Sequence, residues 1–221
     1  NIKSIDFAQT LGVISIMKTI NDLEERIESI NHIYFSAKVS FSDAEYLYIP
    51  DNDEEKKVAK ENFFIHRIRI SCWRNVVLEL CKLFLDSDNE HFNLFKFLRC
   101  LKSEYKNISI EKGVSNEKID SWIAELNHYK VVTIVNKLKT IRDKKIAHTD
   151  VDSKSQINQV KVTFKETHEI FEVTERILGD VISAYLHAYQ IFEISGTEKA
   201  GQILRIIHEH HKWYYEKLIT N

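Results

Sequence analysis

Residues that break regular structure are scarce in this sequence of 221 residues, which contains one proline and five glycines. An average protein contains roughly 7% glycine and 5% proline. A β-sheet requires many turns, and turns depend on glycine, proline, asparagine and aspartate. The shortage therefore argues against a turn-rich β protein and predicts long helices joined by few loops.

Long apolar runs and a dominant charge are also missing. No apolar run approaches the roughly 18 residues that span a bilayer, and the formal net charge is only −2. Contact with RNA or DNA must then come from a local patch, because the whole chain attracts neither nucleic acid nor an anionic membrane. The three cysteines lack the spacing of a metal site: Cys72, Cys81 and Cys100. Free thiols with no signal peptide predict a cytoplasmic protein.

The most regular pattern present is a seam of apolar residues near the N-terminus. Its members recur at alternating steps of three and four: Val13, Ile16, Ile20, Leu23, Ile27, Ile30 and Tyr34. This period predicts a long amphipathic helix. Two interpretations remain open at this point, packing on the protein's own helical bundle or a dimer seam.

Further apolar stripes predict helices over 62–85, 91–105 and 116–145, with a kink near Asn127 and His128. Residues 41–60 hold the only proline and an acidic run, so we predict a loop with a short helix there. The T-x-x-E pattern of Thr163 and Glu166 is typical of a capping box that opens another helix. The prediction is one all-α domain over 1–221, an antiparallel helical bundle. Its core is 62–192, with an N-terminal helix and loop at 1–61 and a C-terminal helix at 197–221.

Two groups of residues invite a metal or acid–base interpretation. HEHHK, from His208 to Lys212, resembles a zinc-binding HExxH, but the second histidine is replaced by Lys212. His208 and His211 would need a third ligand, and none is evident, so we expect no metal cofactor. The acidic residues of the second group stand beside lysines and indicate a solvated charge run: Asp51, Asp53, Glu54 and Glu55.

The segment IRDKKIAHTD, from Ile141 to Asp150, combines Arg142 and His148 with Asp143 between them. Four lysines surround the arginine: Lys137, Lys139, Lys144 and Lys145. Such a surplus suits RNA phosphates, but cations also gather at helix C-termini, where the macrodipole stabilises them. With 8 arginines and 10 histidines, about one arginine–histidine pair at this spacing arises by chance. Arg26 and Arg205 also have a histidine at a similar distance.

The Arg142–His148 spacing resembles the R-x(4–6)-H motif of the HEPN superfamily of all-α proteins. That motif favours a polar residue after the arginine and lies at the end of a long core helix. Only Arg142 has such a follower, Asp143. RDKKIAHTD and the stretch from Trp73 to Glu104 resemble the AbiU-type family of phage abortive-infection systems. The resemblance covers about 62–192.

This resemblance implies a HEPN-like four-helix core and a homodimer whose two motifs face each other. It implies metal-independent RNA cleavage with Arg142 and His148 as catalytic residues, Asp143 as a supporting residue, and the four lysines as RNA contacts. An antitoxin or another defence-system partner is a further expected partner. Asp150 stands where some HEPN toxins carry a modifiable tyrosine, which argues against that form of control. The alternative is a non-catalytic helical module that binds RNA, a nucleotide or a partner protein.

Overall fold

The computed structural model describes residues 19–85, 92–147, 160–188 and 197–219. These residues form nine α-helices and one π-helical segment, and the described part of the chain contains no strand. The helices are α1 (Ile20–Tyr48), α2 (Asp53–Glu61), α3 (Phe63–Phe84), α4 (Leu94–Lys102), α5 (Lys106–Glu111), α6 (Asn116–Leu126), α7 (Tyr129–Ile141), the π-helix (Arg142–Ala147), α8 (Phe164–Leu186) and α9 (Thr197–Ile219). The predicted all-α class is confirmed.

Side-chain caps fix where several helices begin. Thr163 accepts a hydrogen bond from the backbone N–H of Glu166, and the Glu166 carboxylate accepts one from the Thr163 N–H. This reciprocal pair satisfies two amides that the first turn would leave unpaired, so the predicted capping box is confirmed. Asn62 caps α3 in a simpler way, by accepting from the N–H groups of Phe64 and Ile65.

Cross-helix contacts show that α1 runs antiparallel to α3. Near the end of α1, the Tyr48 ring lies 4.6 Å from the guanidinium of Arg69, early in α3. About two turns earlier in α1, Ser40 accepts a hydrogen bond of 2.8 Å from Asn75, which lies further along α3. The contacts of α8 with α1 and with α6–α7 follow the same descending order, so four long columns of helix form an antiparallel bundle.

The N-terminal seam packs inside this bundle. Leu23, Ile27, Ile30 and Tyr34 are at most 1% exposed and share one core with α3, α4 and α6–α8. Packing within the chain therefore explains these residues, and they are not available as a dimer seam. Val13 and Ile16 lie outside the described residues.

The structure corrects the prediction of a loop over 41–60. Helix α1 continues to Tyr48, because Phe41, Ala44 and Leu47 are buried and keep the helical period. It ends before Pro50, whose ring disfavours helical backbone at Ile49, and Ile49 has φ −133° and ψ 68°. The acidic run then forms the first turn of α2.

Two other predicted helices have different bounds in the structure. The helix predicted over 91–105 is α4, and a separate short helix, α5, follows it. The helix predicted over 116–145 breaks at Asn127 and His128, where a kink was expected, and becomes π-helical at Arg142. The break and the change of helix type matter for the site, because α7 and the π-helix carry the candidate residues that the structure describes.

A smaller second core lies where the end of α1 meets α2, α3 and α9. Its buried residues are Leu47, Val58, Ala59, Ile65, Ala200 and Leu204. Gly201 permits the close approach of α9, since a Cβ at this position would lie 2.8 Å from the Tyr46 hydroxyl. None of the described helices has both the length and the apolar character that a membrane crossing requires.

Candidate functional site

Arg142 lies where α7 changes into the π-helix, at an edge of the bundle. Ile141 is 6% exposed and Ile146 packs partly buried against the same core. In an α-helix, residues five apart differ by about 500°, which leaves them about 140° apart around the axis. Hydrogen bonding from i to i+5 in a π-helix instead brings them to one side. The widened turn therefore allows both isoleucines to face α3, while Arg142, Asp143 and Lys144 remain partly exposed.

The Arg142 side chain is held on one side and open on the other. Its Nε donates a hydrogen bond of 2.8 Å to Asp143 Oδ1, and the side chain is 28% exposed. Among the described residues, the two terminal nitrogens of this guanidinium have no partner. Asp143 therefore orients the fork without occupying the nitrogens that would bind a phosphate in bidentate fashion.

The four lysines predicted to bind RNA differ in their surroundings. Lys137 donates to Glu166 at the start of α8, so its charge is engaged inside the protein. Lys139 is exposed and has no partner in the described part of the chain. Lys144 is partly buried within the π-helix, and the side chain of Lys145 lies outside the description. Of the lysines whose side chains are described, Lys137 is therefore held by α8, and Lys139 is the exposed one.

The predicted partner of Arg142, His148, lies outside the described residues, as does Asp150. A straight α-helix would place His148 about 120° around the axis from Arg142. That angle does not apply here, because the α-helix ends at Ile141. The backbone changes from α-helix to π-helix at Arg142, so the spacing along a straight α-helix does not describe the path from Arg142 toward His148.

A cavity of about 860 Å³ adjoins the motif segment. Ile141 and Ile146 form one wall, and the other lining residues come from α1, α3 and the entry to α8: Tyr48, Ile70, Trp73, Arg74, Val77, Val160, Lys161, Val162, Thr163 and Phe164. Sequence reasoning did not identify this cavity. The available signal was the cationic flank of α3, formed by His66, Arg67, Arg69 and Arg74, whereas nothing near Lys161 marked it.

The other two candidate groups have structural partners. The Nε2 atom of His208 lies 3.5 Å from Glu54 Oε2, and His211 is exposed on α9. The acidic run supplies the first turn of α2, where carboxylates complement the helix dipole. Buried Glu55 accepts a hydrogen bond from Tyr46, and burial together with this acceptor raises the pKa of Tyr46 to about 12. No three metal-binding side chains come together among the described residues.

A model of the HEPN_AbiU2 family (AbiU2) matches residues 20–200. The chain belongs to this family. No curated protein and no solved structure matches the chain. The match extends beyond the 62–192 stretch that carried the motif resemblance, and it includes α1, which the structure places inside the core.

Proposed function

We propose that this HEPN_AbiU2 protein is a metal-independent endoribonuclease that acts in phage defence or as a toxin. The observation that carries the proposal is the position of Arg142 at the end of a core helix. Asp143 lies on one side of its guanidinium, and the two terminal nitrogens on the other side have no partner among the described residues. A guanidinium cannot lose its charge near neutral pH and matches the geometry of phosphate oxygens. Family membership supports the same assignment.

The reaction requires three things of the protein, because RNA supplies its own nucleophile. The 2′-oxygen attacks the adjacent phosphorus, the bond to the 5′-oxygen breaks, and a 2′,3′-cyclic phosphate and a 5′-hydroxyl remain. A base must take the 2′-proton, a cation must stabilise the phosphate, and an acid must protonate the leaving oxygen. His148 supplies base or acid, since histidine titrates near pH 6.5, and Arg142 holds the phosphate.

One histidine cannot be both base and acid at the same moment. We therefore propose that two copies of the chain form a composite site in which the two His148 side chains share these roles. In such a homodimer, the end of α7 lies at the interface and each arginine faces the same phosphate. A defence-system partner or an antitoxin would control access to this site, and the protein would act in the cytoplasm.

Purified protein with a labelled single-stranded RNA in EDTA tests the proposed activity. We expect cleavage by the parent protein and loss of cleavage in both Arg142→Ala and His148→Ala, with helical content and melting temperature retained. Lys106→Ala is a matched control, because Lys106 is an exposed cation on α5, away from the motif. Cleavage that persists in both motif variants would overturn the assignment.

The alternative function is a non-catalytic module that binds RNA, a nucleotide or a partner protein with the same cationic end. It is favoured by the cavity beside the π-helix, whose lining combines aromatic residues with two cations. The experiment above separates the two functions. A module without catalytic activity would bind the RNA, lose affinity in Arg142→Ala, and leave the RNA intact at every protein concentration.

A further inference from the structure

We propose that the cavity beside the π-helix is a nucleotide subsite. It would receive an unstacked base of single-stranded RNA, while Arg74 and Lys161 hold the neighbouring phosphates. The proposal rests on the proposed function for its substrate class, RNA. It adds a second contact region, built by α1, α3 and the entry to α8, to the phosphate site at Arg142.

Aromatic rings line the part of the cavity that would receive the base. The ring centroids of Trp73 and Phe164 are 5.7 Å apart in an edge-to-face arrangement, and those of Tyr48 and Phe164 are also 5.7 Å apart. Tyr48 is 41% exposed, so this cluster reaches the surface. Single-strand binding proteins stack bases on rings of this kind without reading sequence strongly, because every base has a π-face.

Two cations at the cavity have no partner within the part of the chain that the structure describes. Arg74 and Lys161 are both exposed, and neither makes an ion pair or hydrogen bond there. Arg69, one turn before Trp73, provides a contrast, because it lies over Tyr48 and contacts His66. An aromatic surface beside these cations is complementary to a ligand that combines a negative charge with a flat ring. A nucleotide is such a ligand.

The position of the cavity joins it to the proposed cleavage site. Ile141, directly before Arg142, and Ile146, four residues after it, both line the cavity, and the π-helix packs against α3. Its volume of about 860 Å³ lies within the roughly 300–1,000 Å³ range of small-molecule sites, which is sufficient for one nucleotide. An RNA strand bound at Arg142 could therefore place a neighbouring base in the cavity.

Binding of a short, fluorescently labelled single-stranded RNA tests the subsite. All proteins carry His148→Ala, so that the RNA stays intact during the measurement. The cavity variant adds Arg74→Glu and Lys161→Glu. The matched control adds Lys106→Glu and Lys130→Glu, which change the net charge equally at exposed positions outside the cavity. Lys130 lies at the opposite end of α7 from Arg142, about 18 Å along the helix.

We expect the cavity variant to bind the RNA at least about tenfold more weakly than the charge-matched control, with a smaller dependence on salt. RNAs with a single abasic position test the base contact separately. One such position should weaken binding to the parent protein, and Tyr48→Ala should remove most of that effect, because the two changes act on the same contact.

Equal RNA affinity of the cavity variant and its control would overturn the subsite. A cavity variant that changes its oligomeric state but binds RNA as before would also overturn it, because the cavity would then be occupied by a second copy of the chain. The proposed activity can fail independently. Suppose that the parent protein, with His148 intact, cleaves no RNA, and that the cavity variant loses RNA binding while the charge-matched control keeps it. The subsite then stands and the nuclease assignment falls.

Discussion

Two clusters of polar side chains on this bundle differ in how far their charges are paired within the protein. Between α1 and α8, the Tyr34 hydroxyl and the Lys38 ammonium both donate to Glu175, and Lys38 also lies 5.1 Å from the ring centroid of Phe171. Tyr34 is fully buried, and this burial, together with Glu175, raises the pKa of Tyr34 far above its usual value. Every member of this cluster has its partner within the chain.

The end of α7 and the cavity beside it are arranged differently. Arg142 has one internal partner, Asp143, while Lys139, Arg74 and Lys161 have none among the described residues. Buried polar groups are costly unless they are hydrogen-bonded, so the cluster at Glu175 is expected to stabilise the fold. Exposed, unpaired cations near one another repel, so the group at α7 is expected to serve a ligand that supplies negative charge.

The largest effect is expected at Arg142, and it should be on activity alone. Arg142→Lys keeps the charge but loses the planar fork that holds two phosphate oxygens. We expect the rate of RNA cleavage to fall about 10²–10³-fold, the usual cost of removing one transition-state contact. Single-turnover rates measure the loss. An unchanged rate would show that charge alone suffices and would contradict bidentate phosphate binding.

The second effect is expected at Glu175, and it should be on stability alone. Glu175→Ala leaves the buried Tyr34 hydroxyl without its acceptor and Lys38 without its ion pair, at a cost of about 2–3 kcal/mol in the free energy of unfolding. Tyr34→Phe in the same background should recover part of this cost, because it removes the unsatisfied hydroxyl. Urea denaturation gives both values, and cleavage per folded molecule should stay at the parent level.

A third and smaller effect should separate two lysines on α7. Lys139→Ala should weaken RNA binding and reduce the slope of log affinity against log salt by about 0.7, as expected for one lost phosphate contact with a single strand. Lys137→Ala should leave that slope unchanged, because Lys137 is engaged by Glu166. Equal salt slopes for the two variants would contradict the distinction that the structure draws between them.

The smallest effect is a pH dependence at Glu166. Burial alone would raise the pKa of this carboxyl, but hydrogen bonds from Lys137 and the Thr163 backbone outweigh it, so the pKa is lowered from 4.5. The ionised form is favoured in the folded state, so its stabilisation is complete above pH 4.5 and is lost as pH falls through the lower, folded-state value.

Glu166→Gln keeps a capping-box acceptor and removes the charge. The parent protein should therefore be more stable than this variant near neutral pH, and the difference should shrink as the pH falls below 4.5. Unfolding curves at several pH values measure it. A difference that stays constant with pH would mean that the Lys137–Glu166 pair contributes nothing to folding.

The sequence predicted most of the fold because helix starts and apolar stripes are local signals. Asn62 and Thr163 mark two helix starts through caps, and the α1 seam is visible as a period. The extension of α1 to Tyr48 was missed because polar residues and a nearby proline obscure its buried positions. The π-helix was missed because Ile141 and Ile146, five residues apart, are not a recognisable sequence pattern. Only their packing against α3 shows that the helix widens there.

The candidate site was predictable only in part, and for a similar reason. Arg142 and Asp143 stand together in one motif, so spacing and family resemblance identify them. Lys161 approaches Trp73 and Arg74 only after the chain has folded, across nearly 90 residues of sequence, and no local pattern marks it. Whether the Lys137 charge is paired also depends on a residue that is distant in the sequence, Glu166. Sequence reasoning identifies cations, but the structure decides which of them are paired.

The most direct test of the account is the chemistry of the RNA ends that the protein leaves in EDTA. If Arg142 and the cations around it assist attack by the 2′-oxygen, the products must carry 2′,3′-cyclic phosphate and 5′-hydroxyl ends. A single 2′-deoxy substitution at the cleaved position must then abolish cutting there. Products with 3′-hydroxyl and 5′-phosphate ends, or RNA that stays intact at every protein concentration, would contradict it.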